Sequence, residues 1–90
     1  MECQIVACDR VVFSGSAAGV YARSRDGWFG VLPGHARAVF ALADAPLRVL
    51  TSDGTVAFHI QGGTLYVEPQ RVTVFSERAS PMPAHPSTAG

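Results

Sequence analysis

The sequence contains no lysine and no asparagine, and neither sign of charge dominates it. Seven arginines stand against seven acidic residues among 90 residues, so the formal net charge is zero. Without lysine, the chain offers neither a Schiff-base amine nor the lysine of a Walker-type phosphate loop. Because the arginines are scattered along the sequence, they predict no basic stripe, and nucleic acid is not expected as a partner.

Cysteine is also scarce. Cys3 and Cys8 are five residues apart in an apolar N-terminal segment, a spacing that sends their side chains to opposite faces of a strand. This spacing differs from the C-x-x-C pattern of redox and metal sites. We therefore expect both cysteines to be reduced residues with a packing role.

Long apolar runs are missing as well. No segment approaches the ~20 consecutive apolar residues that a transmembrane helix needs, and the start lacks the basic and then apolar layout of a secretory signal. We expect no direct membrane insertion, and a location in the cytoplasm or on a structure at its membrane face.

The residues that are present favour one small all-β domain. Hydrophobic residues make up 48% of the chain and charged residues 16%, which suits a folded domain with a single thin core. Turn-forming residues recur roughly every 8 to 12 positions, between short segments rich in Val, Phe, Tyr, Ile and Thr. This pattern predicts an antiparallel β-sandwich or barrel of roughly ten strands. A helix is a serious alternative to a strand only at residues 37–43.

Two hairpins are predicted in detail. In LRVLTSDGTVAFHI, a type I′ turn at Asp53-Gly54 pairs Ser52 with Thr55. That register places four apolar residues on one side, namely Leu47, Val49, Phe58 and Ile60. In TLYVEPQRVTVF, a turn at Pro69-Gln70 brings Glu68 opposite Arg71, with a predicted ion pair between them. Its in-facing residues are Leu65, Val67, Val72 and Val74.

The composition changes at the C-terminal end. From Ala79 the sequence reads ASPMPAHPSTAG, which is rich in proline and has no hydrophobic periodicity. Proline removes backbone donors and interrupts helices. We therefore divide the chain into a β-sandwich domain at 1–78 and a disordered tail at 79–90.

No catalytic, cofactor-binding or metal-binding residue is predicted. The three histidines, His35, His59 and His85, are isolated in the sequence and form no metal-ligand spacing. The aspartates occupy predicted turns, where their side chains bond to nearby backbone amides. The glycine-rich breaks lack the spacing of a phosphate-binding loop.

Large apolar side chains beside turns are the remaining unusual feature. Trp28 and Phe29 follow the Asp26-Gly27 turn, and Leu32 precedes Pro33-Gly34. Such residues either close the rim of a core or bind another protein, for which tryptophan is favoured. A binding role is therefore preferred over an enzymatic one.

Four segments follow one another in an order that is specific when taken together. They are DRVVFSG (Asp9–Gly15), GWFGVLPGHA (Gly27–Ala36), LRV (Leu47–Val49) and HIQGGTLYVEPQRVTVFSE (His59–Glu77). Together with the spacing between them, these segments cover about positions 2 to 78. Over this range the chain resembles the N-terminal β-sandwich domain of the epsilon subunit of F-type ATP synthases.

The resemblance implies a rotor subunit at the foot of the central stalk, on the cytoplasmic face of the membrane. Such a subunit binds the gamma subunit and touches the polar loops of the c-ring. It has no catalytic residue and no cofactor, and it helps couple ion flow to ATP synthesis or hydrolysis. The candidate subunit-interface residues are Asp26, Trp28, Phe29, Leu32, His35 and Arg37.

The sequence departs from the family in three places. Relatives usually continue into a C-terminal helical hairpin with regulatory or ATP-binding roles, so those roles and ATP binding are not expected here. Trp28 stands where many relatives have an acidic residue, which favours an apolar contact to the c-ring over a charged one. Thr64 replaces the phenylalanine of the usual Gly-Gly-Phe.

Two other hypotheses stay open at this stage. The chain could be a stand-alone β-sandwich that binds a protein or ligand through Trp28 and Phe29, or a small enzyme. The ordered succession of motifs favours the rotor subunit over both.

Overall fold

The computed structural model describes residues 1–82, which form ten strands and no helix. None of these residues belongs to a helix long and apolar enough to cross a membrane. The strands are β1 (Glu2–Ala7), β2 (Arg10–Ser16), β3 (Gly19–Ser24), β4 (Gly27–Val31), β5 (Ala38–Ala41), β6 (Ala45–Thr51), β7 (Gly54–Gln61), β8 (Thr64–Glu68), β9 (Arg71–Ser76) and β10 (Arg78–Met82).

The strands form two five-stranded sheets packed face to face. The first sheet has the order β2-β1-β9-β8-β5 and the second has the order β10-β7-β6-β3-β4. All pairings are antiparallel except that of β1 with β9, which is parallel. The predicted all-β sandwich is confirmed, and the segment where a helix competed contains strand β5.

The core lies between the sheets and is almost entirely aliphatic. Its largest fully buried side chains include Ile5, Leu47, Ile60 and Leu65, which alternate with outward residues along their strands. Two aromatic pairs close the sandwich across the sheets. Phe13 meets Phe58 edge to face with ring centroids 5.8 Å apart, and Phe29 stacks on Phe40 at 4.1 Å.

The register predicted for the β6–β7 hairpin was wrong by two residues. Thr51 pairs with Gly54, and Val49 pairs with Val56. A type I′ turn needs positive φ at both central residues, but Gly54 alone has one here, at 124°. The Thr51 hydroxyl instead accepts the Asp53 N–H at 3.2 Å and donates to the Gly54 carbonyl at 2.8 Å.

A shift of two residues leaves every side chain on its predicted face. The four residues assigned to the apolar side are therefore buried as expected. The β8–β9 hairpin has the predicted register, with Glu68 opposite Arg71, and its four in-facing residues are buried. Glu68, however, forms its ion pair with Arg37, at 3.2 Å.

The sandwich extends beyond the boundary that composition predicts. Strand β10 continues to Met82, and its Pro81 lies opposite Phe58 on β7. Because β10 is an edge strand, its outer side needs no backbone donor, and proline is tolerated there. The start of the predicted tail at Ala79 is therefore corrected, and the rest of that prediction, residues 83–90, lies outside the described residues.

The two cysteines are both free, but only one of them is a packing residue. Cys3 is fully buried in the core. Cys8 lies in the turn between β1 and β2, where its φ is 56° and its side chain is exposed. Strand β1 ends at Ala7, so the alternation of side chains between the two faces of a strand does not apply to Cys8.

The connections divide the sandwich into two ends. The end that we call the Met1 end holds residue 1 and the connections β2–β3, β4–β5, β6–β7 and β8–β9. Backbone hydrogen bonds from Ala17 to Met1 and from Gly34 to Pro69 join them. The Asp26 end holds the other connections, which are joined by a bond from Leu42 to Gly63.

Candidate interaction surfaces

The six candidate interface residues do not form one cluster. Asp26 lies at the Asp26 end, with Trp28 just inside β4, whereas Leu32, His35 and Arg37 lie in the β4–β5 loop at the Met1 end. Trp28 and Leu32 are four residues apart along an extended strand, which is about 13 Å. The loops named from the sequence therefore belong to opposite ends of the molecule.

Trp28 stands on the outward face of the second sheet. Its side chain is 57% exposed and lies opposite Arg23 on β3. The turn that precedes it is ordered by Ser24, whose hydroxyl accepts the Asp26 N–H at 3.2 Å and donates to the Gly27 carbonyl at 3.3 Å. The short turn fixes the direction of Trp28 and leaves the Asp26 side chain exposed.

Phe29 points the other way from Trp28. It is partly buried, packs against the core and stacks on Phe40. This contact joins β4 of the second sheet to β5 of the first. The geometry therefore gives Phe29 a packing role at the rim of the core, and its interface role stays a prediction.

The β4–β5 loop is tied down by hydrogen bonds. The His35 N–H donates to the Leu32 carbonyl at 3.1 Å, and Nδ1 of His35 lies 2.7 Å from the Ala36 carbonyl. Arg37 reaches Glu68 in an exposed ion pair, of a kind worth roughly 0.2–1 kcal/mol. The leucine side chain of this loop, Leu32, remains 55% exposed.

A row of apolar residues crosses the outward face of the first sheet. We call it the apolar stripe, and it consists of Val11, Val6, Phe75, Tyr66 and Val39. Cross-strand pairing joins Val11 to Val6 and Val6 to Phe75. The rings of Phe75 and Tyr66 meet edge to face at 5.7 Å, and Tyr66 pairs with Val39. All but Val6 are more than 40% exposed.

The apolar stripe is the interaction surface that sequence reasoning missed. Tyr66 and Phe75 alternate with in-facing residues of a hairpin that the sequence predicts correctly, so their outward direction could have been inferred. Large aromatics on the outward positions of a hairpin were the available signal. Their meeting with Val11 and Val39 depends on the order of strands in the sheet, which local pattern does not give.

The described residues offer little for catalysis. Residues 1–82 contain no group of three His, Cys, Asp or Glu side chains placed to hold a metal ion. Burial, with a smaller contribution from the Glu2 charge, raises the pKa of the Cys3 thiol to about 11, so this thiol is protonated and inert at neutral pH. What the surface offers instead is apolar and aromatic contact area.

A β-sandwich with a contiguous apolar row on an outward face is typical of a protein-binding domain. The chain matches the family described as the ATP synthase delta/epsilon chain, beta-sandwich domain, over residues 1–82. It belongs to this family, as the four motifs indicated.

Several curated relatives are similar to the chain along most of its length. The ATP synthase epsilon chain of Acinetobacter baumannii is 38% identical over 80 residues, which cover 88% of this chain and 58% of the relative. That of Hydrogenovibrio crunogenus is 35% identical and is covered over 55% of its length. The chain thus spans little more than half of these relatives, and the expected lack of regulatory helices stays a prediction.

Solved structures share the fold. A chain of the mitochondrial ATP synthase of Euglena gracilis superposes with a TM-score of 0.83 at 27% identity, over 88% of this chain and 51% of that one. A chain from the central stalk and c-ring of the Tetrahymena thermophila enzyme has a TM-score of 0.73 over 87% of this chain and 63% of its own length. At 10% identity, that likeness concerns the fold alone.

Proposed function

We propose that this chain is a non-catalytic epsilon subunit in the central stalk of an F-type ATP synthase. It links the gamma subunit to the c-ring on the cytoplasmic face of the membrane and helps couple ion translocation to ATP synthesis or hydrolysis. Family membership supports the proposal, since the similar relatives are named ATP synthase epsilon chain. The observation that carries it is the apolar stripe, which fits a lasting protein contact.

The two interfaces use different surfaces in this proposal. The apolar stripe and the neighbouring β4–β5 loop with His35 bind gamma, because the stripe presents four apolar side chains that are more than 40% exposed and the loop leads into β5, which holds Val39 of the stripe. Asp26 and Trp28 meet the c-ring. The exposed indole of Trp28 makes that contact apolar, where many relatives offer a carboxylate.

Titration of purified gamma tests the first interface. Replacing Tyr66 and Phe75 together by serine removes both aromatic side chains of the stripe, and we expect gamma affinity to fall by at least about tenfold. His35→Ala should weaken binding less. Thr55→Ala, on the outward face of the second sheet, is the matched control and should bind like the wild type.

Circular dichroism melting separates binding from folding in this experiment. Tyr66 and Phe75 are about half exposed, so we expect the double variant to remain folded at the temperature of the titration. Equal gamma affinities for the wild type and the folded double variant would contradict the assignment of the stripe. Absence of gamma binding by the wild type would favour a stand-alone binding module.

A further inference from the structure

The outward face of the second sheet concentrates positive charge in a protein whose net charge is zero. Arg23 on β3, Arg48 on β6 and Arg78 on β10 are all exposed there, and no strand of this sheet carries a carboxylate at an outward position. Within residues 1–82 the single ion pair is that of Arg37 with Glu68, on the other sheet. We call this surface the basic face.

The register brings two of these arginines together beside an aromatic ring. Arg48 pairs with Tyr21, and Arg23 is the next outward residue after Tyr21 on β3. Both arginines therefore project from the same face near Tyr21, and the strands of this sheet carry no carboxylate that could pair with them.

A glycine shapes the surface next to the arginines. Tyr21 lies opposite Gly30, and a Cβ atom at Gly30 would stand only 2.6 Å from Cε1 of Tyr21. The missing side chain lets the tyrosine ring lie flat on β4. The result is a shallow depression lined by Tyr21, Trp28, Phe29, Gly30 and Arg48.

We propose that the basic face binds an acidic segment of a partner protein. Carboxylates of that segment would accept paired hydrogen bonds from Arg23 and Arg48, neither of which has an ion-pair partner within residues 1–82. An apolar side chain of the segment would lie in the depression against Tyr21. This site is separate from the apolar stripe and borders the proposed c-ring contact at Trp28. It does not depend on which subunits the proposed function names.

The face favours a protein segment over a lipid surface or nucleic acid. Binding to a membrane surface requires a broad apolar face that enters the headgroup region, and among the described residues of this face the exposed large hydrophobic side chains are Trp28 and Tyr21. Three arginines spread over the sheet also give few contacts for a phosphate backbone. Planar guanidinium groups beside an aromatic ring match carboxylates of a folded or extended chain.

Trp28 supplies the signal for the test, since it is the single tryptophan of the sequence and borders the basic face. The probe is a synthetic peptide of about 15 residues of glutamate, alanine and one central leucine, with a control peptide in which glutamine replaces glutamate. The protein variants are Arg23→Gln, Arg48→Gln and the double variant. Arg71→Gln, on the first sheet, makes the same change in charge per substitution.

We expect the glutamate peptide to change Trp28 fluorescence saturably, and the double variant to bind about tenfold or more weakly. Arg71→Gln should stay within about twofold of the wild type. The melting temperature of the double variant should be close to that of the wild type, because both side chains are exposed and form no ion pair within residues 1–82. A merely structural role for the arginines would lower it.

Three results would overturn the proposal. One is equal binding of the glutamate and glutamine peptides, and another is equal affinities for the double variant and Arg71→Gln. The third is saturable binding of phosphatidylglycerol vesicles without binding of the peptide, which would assign the face to anionic lipid.

Discussion

At the scale of single residues, the two cysteines are both free thiols, but one is buried and the other is exposed. Cys3 is sealed in the core, where burial raises the pKa of its thiol to about 11. Cys8 is exposed in a turn, with its Sγ 3.2 Å from the Glu77 carbonyl. Reactivity follows the accessible thiolate, so the two positions are chemically distinguishable.

We predict that one thiol per chain reacts with a disulfide reagent at about pH 8 in the native protein, and that the second reacts only in denaturant. Cys8→Ser should abolish the native reaction, and Cys3→Ala should preserve it. Fast native reaction of both thiols would show that Cys3 is accessible.

Stability should fall in alkali because of Cys3. An unperturbed cysteine thiol has a pKa of 9.0, whereas the pKa of Cys3 in the folded protein is about 11, so between these values the unfolded chain releases a proton that the folded chain keeps. The free energy of unfolding therefore decreases as the pH rises from about 9 to about 11, by up to about 3 kcal/mol. Below about pH 9 this contribution is fully present.

Urea unfolding of the wild type and Cys3→Ala at several pH values between about 8 and 11 measures this effect. Cys3→Ala lowers stability at every pH because it leaves a small cavity, but its profile should be flatter over the alkaline part of this range. Parallel profiles would mean that the Cys3 thiol contributes nothing to the pH dependence.

At the scale of elements, the β7–β8 connection depends on glycine. Gly62 has a φ of 63°, and a Cβ there would make only an ordinary contact with Oδ1 of Asp44 at 3.9 Å, whereas a Cβ at Gly63, whose φ is 115°, would overlap the Phe75 carbonyl oxygen. We predict that Gly62→Ala costs about 1–2 kcal/mol, and that Gly63→Ala costs clearly more, because backbone must move. Denaturant titration of both variants measures the difference, and similar losses would contradict the close approach.

Strand β10 gives a second prediction at this scale. Ala79 packs against the core, while Ser80 points outward on an edge strand. Ala79→Asp should therefore lower the free energy of unfolding by about 1–3 kcal/mol, as expected for a carboxylate forced into an apolar site. Ser80→Asp should be nearly neutral. If both substitutions changed the melting temperature equally and only slightly, Ala79 would not pack against the core, and the tail that composition predicts from Ala79 would be supported.

Strands in which apolar and polar residues alternate were predictable from the sequence, because one side of each such strand faces the core. The β8–β9 hairpin was confirmed with its register because Pro69-Gln70 is the turn. The β6–β7 register was missed because the Thr51 hydroxyl organises a turn one residue earlier than Asp53-Gly54 suggests. β10 was missed because proline at an edge leaves no sequence signal of pairing.

Surfaces were harder to predict than elements, because they combine residues from distant strands. Arg23, Arg48 and Arg78 are scattered in the sequence, which suggested no basic surface, yet the strand order collects them on one face. The apolar stripe arises in the same way from β2, β1, β9, β8 and β5. Trp28 is exposed beside its turn, as an interface residue must be, whereas Phe29 packs against the core.

At the scale of the whole molecule, the sandwich separates its candidate contacts. The apolar stripe occupies the outward face of one sheet, and Trp28 stands on the other sheet near the Asp26 end. A subunit that links two partners needs such separation, since each contact must form without blocking the other. We therefore expect Trp28→Ala to weaken the c-ring contact while gamma binding is kept.

Affinity isolation of the tagged chain from detergent-solubilised membranes of the source cells tests the central claim most directly. We expect the wild type to bring down both gamma and c subunits. Trp28→Ala should retain gamma, with less c subunit after a mild salt wash that separates gamma from the ring. Tyr66→Ser with Phe75→Ser should lose gamma and keep the c subunit that Trp28 contacts. Recovery of the folded wild-type chain with neither subunit would contradict a role in the central stalk.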